Sequence, residues 1–165
     1  ELPKNAGQRT FARFDTYLQN HQQDNLATIR EEIRAIMTEN VGVFRTEAGL
    51  SEAIARLETF QTRVETATLS NKSLKMNPEL TQRWELDNML AVALIMARGA
   101  LERRESRGGH ARIDYPDRKD EYNQHTLAWM AENGTVRFGH RPVDMSIFKE
   151  NGTHREEFNI IERKY

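Results

Sequence analysis

Asn77 to Arg104 reads NPELTQRWELDNMLAVALIMARGALERR, and the fold turns on this stretch. Asn77 offers a side-chain oxygen to cap a helix, and Pro78 has the fixed φ that suits a first helical position. The middle, Met89 to Ala97, is apolar on nearly every face, as in the most buried helix of a bundle. It is also about half of the roughly 20 residues that a membrane-spanning helix needs. The spacing therefore predicts a long core helix running to about Arg104.

Working back from it, two more helical segments supply partners. Leu26, Ile29, Ile33, Ile36 and Met37 mark one apolar face over about Asp24 to Glu39. After a break at Asn40-Val41-Gly42, Thr46 can cap the next helix, with Glu47 well placed in its first turn. Leu50, Ile54, Leu57, Gln61 and Val64 then form an a/d-like seam, with Phe60 beside it, until the polar run Ser70 to Lys75. Phe11, Phe14 and Leu18 predict a short helix after Gly7. The expected architecture is mainly α: a leading segment over 1–22, then an up-down-up three-helix bundle over 23–104. A loop, a small β-hairpin and an irregular tail complete it over 105–165.

Forward of Arg104 the texture changes. Gly108-Gly109 and Pro116 interrupt helix. Over about 126–141, Asn133-Gly134 predicts a two-residue hairpin turn that sets Trp129 opposite Phe138 and Ala131 opposite Val136. Pro142 to Tyr165 is mixed and polar, a tail expected to wrap a surface.

Composition narrows the chemistry. The chain has 165 residues, 30% charged and 38% hydrophobic, with a formal net charge of −1 and no cysteine. Such a balance provides no basic field for nucleic acid. The lack of cysteine excludes disulfides, zinc–thiolate and iron–sulfur ligation within this chain. The five histidines are scattered without HxxxH or HExxH spacing. Asp114, Asp117 and Asp120 lack the alternation and turn glycine of a calcium loop, so no metal site is expected. Ser106 lacks a G-x-S-x-G setting. No GxGxxG or Walker motif is present. Of the sequons at Asn71, Asn133 and Asn151, two are Asn-Gly turns whose backbone role already explains the sequence, so glycosylation is not expected.

Glu102 to Glu121 holds six basic and six acidic residues. A balanced set suits ion pairing, either within a solvated loop or with a structured partner, better than it suits a polyanion.

The string RRESRGGHARIDYPDRKDEYNQHTL, after a long apolar helix and before a hairpin, resembles the C-terminal region of succinate dehydrogenase and fumarate reductase flavoprotein subunits. The family pattern is ESRG-(A/G)-H-x-R, then D-(Y/F)-P-x-R-x-D, then H-T-L. It falls here on Glu105 to His110, Arg112, Asp114 to Pro116, Arg118, Asp120 and His125 to Leu127. VGVFRTEAGL, Val41 to Leu50, is similar to the family's junction between bundle helices. Arg141-Pro142-Val143 and the ERKY end are similar to its tail.

The resemblance implies a three-helix bundle with a left-handed twist, spectrin-repeat-like, in the FAD-dependent subunit of a succinate:quinone oxidoreductase. It implies that FAD and the substrate residues lie N-terminal to these segments, so that no catalytic or cofactor-binding residue is expected here and the chain alone would be inactive. The implied partners are the subunit's own flavin domain, the iron–sulfur subunit and, through it, a membrane anchor. In a bacterium this places the complex at the cytoplasmic face of the membrane. Arg107, His110, Arg112, Asp114, Tyr115 and Arg118 become candidates for a docking surface. L-aspartate oxidase and adenylylsulfate reductase share the wider architecture, and a free-standing three-helix adaptor is a reading from a different class.

Overall fold

The structure, a computed structural model, describes residues 5, 7–21, 24–131, 134–150 and 153–154. Four helices dominate it: α1 (Gln8–Gln19), α2 (Leu26–Asn40), α3 (Glu47–Thr66) and α4 (Pro78–Glu102). Each long helix starts on a side-chain cap. Asn25 accepts from the Ala27 and Thr28 amides, Thr46 from Gly49 and Asn77 from Leu80, satisfying donors that a bare helix start leaves orphaned. The Asn77 amide also donates to the Asn71 and Ser73 carbonyls, at 2.7 and 2.8 Å, which ties down the polar link before α4.

Helices α2, α3 and α4 share one core: Ile29, Ile33 and Ile36 from α2; Leu50, Leu57, Phe60 and Val64 from α3; Leu86, Leu90, Leu94 and Ala97 from α4. Burying each large apolar side chain contributes roughly 1.5–3 kcal/mol, so this seam carries the bundle. The expected seam of α3 holds at Leu50, Leu57 and Val64, but Phe60 and Ala53 are buried where Gln61 is exposed. In α4 the apolar run is not buried all round. Val92 and Met96 face outward, 54% and 51% exposed.

Helix α1 is held differently from its sequence pattern. Phe11 is largely exposed, and the buried residue is Tyr17, which joins Leu69 and Leu80 in a second small core. Tyr17 donates to the Asp87 carboxylate, and its ring lies 4.2 Å from the Arg83 guanidinium. Arg83, 1% exposed, pairs with Asp87 one turn on at 2.6 Å, and Arg13 adds a contact at 2.9 Å. Burial first, then the bond to the Asp87 carboxylate, pushes the Tyr17 phenol up to about 12. An arginine on the inner face of α4 is the least expected core residue, and Tyr17 with Asp87 explains how it is accommodated.

Three two-stranded ribbons complete the described fold. Strands β1 (Phe44–Arg45) and β2 (Ala111–Arg112) pair in parallel, Phe44 with Ala111 and Arg45 with Arg112. Strands β3 (Gln124–Met130) and β4 (Val136–Pro142) form the hairpin, but its register differs by one from the expected one. Trp129 lies opposite Arg137, and Ala128 opposite Phe138. Ala131 donates to the Thr135 carbonyl, and Gly134, at φ +79°, donates back to Ala131. The connection therefore has three residues and ends on a left-handed glycine, the next commonest hairpin closure after the two-residue turn. Asn133 lies outside the described residues.

A one-residue shift moves side chains to opposite faces of the ribbon. Phe138 turns to α4, 3.6 Å from where a Cβ on Gly99 would sit. Trp129 turns away, half-exposed beneath the Arg137 guanidinium at 4.9 Å. Packing against α4 selects this register, since it covers one aromatic and lets the cation cover the other. Beyond the hairpin, where an irregular tail is expected, β5 (Lys149–Glu150) and β6 (Thr153–His154) pair antiparallel. The ERKY end lies outside the described residues.

Candidate functional site: a polar junction at the end of the bundle

The ESRG segment leaves α4 and folds back between the C-terminus of α4 and the N-terminus of α3. Arg107 and His110 exchange backbone hydrogen bonds at 2.8 and 3.0 Å across Gly108-Gly109, and Gly108 takes φ +58°. That left-handed turn is where glycine is needed. It reverses the chain so that β2 meets β1.

Two knots of charge lie on either side of the turn. In the first, Glu105 is completely buried. It accepts from Arg107 at 2.9 and 3.2 Å, from the Lys119 amide at 2.9 Å and from Arg103. Burial alone raises a carboxyl pKa; here the bonds from Arg107, the Lys119 amide and Arg103 outweigh it and hold Glu105 below its ordinary value. Arg103 in turn reaches the Tyr122 and Gln124 carbonyls, both at 2.8 Å, tying α4 to the start of the hairpin.

In the second knot, Arg112 has no exposed side-chain surface. Its guanidinium forks onto Asp114 at 2.7 and 2.8 Å and donates to the Ala100 and Leu101 carbonyls at 3.0 and 3.2 Å. Arg112 is thus a side-chain cap for the C-terminal end of α4, where carbonyls lack partners and a cation is favoured. Asp114 accepts from the Glu47 amide at 2.8 Å, at the N-terminal end of α3 where an anion is favoured. The Arg112 fork first, and then that amide, bring the Asp114 carboxyl down to about 2. Tyr115 places its ring 4.9 Å from the Arg112 guanidinium and its hydroxyl 3.4 Å from Glu47.

His110 sits between the knots. Its Nδ1 accepts from Arg45 at 2.6 Å and its Nε2–H donates to the Arg103 carbonyl at 3.0 Å, which fixes the neutral tautomer. Burial is the main reason its pKa is lowered; Arg45, Arg112 and Arg103 add to it, against the carbonyl. Ser106 accepts from the Arg112 amide at 2.8 Å and donates to the Tyr115 carbonyl at 2.9 Å.

Of the six residues singled out in the sequence, five join this junction. Arg118 stands apart, 3.4 Å from Asp120. Arg112 and His110 are turned inward, so they shape the junction's surface and do not present their own polar atoms on it. Glu105, Ser106, Arg103 and Arg45 are the participants that residue-type reasoning passed over. The dense, balanced charge of 102–121 was the available signal; nothing local marks Arg45, which arrives from the α2–α3 link.

Chemically the junction is saturated. Glu105 and Asp114 are bonded and held ionised, both imidazole nitrogens are occupied, and the serine hydroxyl is bonded on both sides. Such groups position backbone; they are not poised to exchange protons or attack a substrate. Among the described residues no group of three or more His, Asp or Glu side chains is arranged to hold a metal ion. No described helix is long and apolar enough to cross a membrane.

Fold and junction together define a helical-bundle domain closed at one end by a loop that caps α3 and α4. The family model for the fumarate reductase flavoprotein C-terminus matches residues 30–165, and the chain belongs to that family. It is 34% identical over 150 residues to the succinate dehydrogenase flavoprotein subunit of Rickettsia bellii, covering 90% of this chain and 25% of that protein. It is 41% identical over 114 residues to the fumarate reductase flavoprotein subunit of Helicobacter pylori, covering 68% of this chain and 16% of that one. Among solved structures, a quinol fumarate reductase of E. coli aligns with TM-score 0.79 and 31% identity, over 87% of this chain and 26% of the other. The adenylylsulfate reductase of Archaeoglobus fulgidus, at TM-score 0.67 and 22% identity over 87% of this chain and 25% of the other, shares the fold alone. The chain thus spans about a quarter of the length of the Rickettsia relative.

Proposed function

We propose that this chain is the C-terminal part of the flavoprotein subunit of a succinate:quinone oxidoreductase, and that it docks and braces the subunit while other segments perform the chemistry. The observation that carries this reading is the saturated junction: the family's most distinctive motif is spent on capping α3 and α4 and holding the hairpin. The remainder of the subunit then holds FAD and interconverts succinate and fumarate. The iron–sulfur subunit is the neighbouring partner, and a membrane anchor places the complex at the cytoplasmic face of a bacterial membrane.

In this reading FAD seats elsewhere in the subunit. A cleft of about 700 Å³ between α1, α3, α4 and the hairpin tip has two guanidiniums, Arg13 and Arg83. Both are committed to Asp87, so neither is available as a pyrophosphate clamp. No step is therefore routed through flavin on these residues. Docking through the loop, with Arg107, Asp114, Tyr115 and Arg118 nearest its surface and His110 and Arg112 behind them, belongs to the same proposal.

The test compares the 165-residue chain with the full-length subunit for flavin absorbance and succinate-dependent dye reduction. The chain is expected to be colourless and inactive. A yellow preparation of the chain that reduces dye would overturn the division of labour. Arg107→Ala in the full-length subunit is expected to lower assembly with the iron–sulfur subunit; unchanged assembly and turnover would remove the loop from the docking face.

A further inference from the structure

We infer that the cleft between α1, α3, α4 and the hairpin tip binds a small monocarboxylate with an apolar body, held by the open edge of the Arg83 guanidinium. The cleft measures about 700 Å³, within the usual size of small-molecule sites, and shares no residue with the ESRG junction.

Arg83 carries the inference. A guanidinium has five N–H donors in a rigid fork. Arg83 is 1% exposed and lines the cleft, yet among the described residues its one hydrogen bond runs from Nη1 to Asp87 at 2.6 Å. Its Nε is shut off from solvent and meets no acceptor. Arg112 is just as buried, and it donates to both Asp114 oxygens and to the Ala100 and Leu101 carbonyls. Buried polar groups are bonded almost without exception, and leaving a donor on a buried cation unmet is costly. An unmet donor therefore marks where an acceptor belongs.

The surroundings decide the class of ligand. Tyr17 covers one face of the guanidinium, 4.2 Å from ring centre to Cζ, and its hydroxyl is spent on Asp87. What remains is the in-plane edge of Nε and Nη2, the fork that matches the two oxygens of one carboxylate. Arg13 and Arg83 set two positive charges against Asp87, with Glu65 exposed on the α3 side. That balance suits one anionic charge and is too weak for a pyrophosphate. Arg83, Asp87, Leu90, Ala91 and Leu94 follow at i, i+4, i+7, i+8 and i+11, a single stripe of α4 that lines the cleft. The stripe is polar where α1 crosses it and apolar toward Met130 and Ala131 of the hairpin. A carboxylate head belongs at the first end and an uncharged tail at the second.

The test is saturation-transfer NMR on the 165-residue chain, whose bundle closes its own core, with hexanoate, hexanamide and succinate as probes. Hexanoate is expected to bind, and hexanamide about tenfold or more weakly, since it keeps the tail and loses the charged acceptor. Succinate, which would set a second charge against Leu90 and Leu94, is expected to give no transfer. Arg83→Leu should erase the preference for hexanoate over hexanamide. That exchange also disturbs Asp87, so Ala91→Phe serves as a second variant. It fills the cleft from the same stripe, leaves Arg83 in place, and should remove transfer to hexanoate at an unchanged thermal midpoint. Equal binding of hexanoate and hexanamide to the unaltered chain overturns the inference, as does hexanoate binding that survives Ala91→Phe. No transfer to hexanoate overturns it too, and leaves Nε to bond water. The same titration of the full-length subunit keeps this inference apart from the functional reading, on which flavin absorbance reports. Transfer seen in the chain but lost in a yellow subunit assigns the cleft to a neighbouring segment and overturns the ligand site alone.

Discussion

The bundle core is dry and the junction at its end is only partly so, and different physics holds each. Around Leu57 the contacts are apolar and without direction, so stability scales with the area and volume filled. Around Arg112 every contact has a donor, an acceptor and an angle, and one missing partner leaves a buried polar group such as Arg112 or Glu105 short of a bond. The core tolerates conservative exchange. The junction does not.

The largest expected effect lies in the junction. Arg112→Ala removes the cap of α4, leaves the Ala100 and Leu101 carbonyls without their donor and takes the fork from Asp114, at a cost of about 4 kcal/mol by urea denaturation. Arg112→Lys keeps the charge but cannot fork, and it is expected to lose most of that amount. In the bundle, Leu57→Ala is expected to cost about 3 kcal/mol, whereas Leu57→Met costs less than about 1.5 kcal/mol. Equal losses for Arg112→Lys and Leu57→Met would erase the contrast.

Acid sharpens it further. Asp114 titrates near 2 in the folded chain against an ordinary 3.8, so its contribution is complete above about pH 4 and is lost as pH falls through about 2. Its side chain is 30% exposed, which discounts the contribution to about 1–2 kcal/mol. Asp114→Asn should flatten that acid limb, and an unchanged pH profile would mean that the Arg112 pair contributes nothing net.

The smallest effect is at the other end of the molecule. Tyr17→Phe removes one hydrogen bond to Asp87, about 1 kcal/mol. With a folded pKa raised to about 12 from 10, the phenol's contribution is intact below about pH 10 and is lost as pH rises through 12. An absorbance titration should show one of the four tyrosines ionising late, and this late component should vanish in the variant.

Helix existence and helix starts were legible because they are local. Thr46, Asn77 and Pro78 cap where their types predict, and the α3 seam holds at Leu50, Leu57 and Val64. What escaped depended on a distant partner. Two-residue strands have no period, so nothing in VFR or HAR announces a parallel pair. The hairpin slipped by one because Phe138 is placed by α4 and not by its own turn. Arg83 reads as a solvated helix residue until Tyr17 and Asp87 are set beside it. The charge of 102–121 was visible as unusual, but its direction was not: the same composition describes a surface loop, and only the meeting of β1 with β2 turns Arg112 inward. The family motif therefore identified the region before any physical argument could say what its residues hold.

The clamp between Glu47 and Asp114 spans 67 positions of chain. As the chain emerges from the ribosome, α2 and α3 can collapse on each other at once and Thr46 can cap Gly49, but the Glu47 amide lacks its carboxylate until the ESRG loop has been made and has closed over it. Contacts so far apart form late, because the loop-closure entropy comes first. The motif that marks the family is thus the latch of a slow step. A lesion there should show first as a chain whose α3 end closes late on refolding.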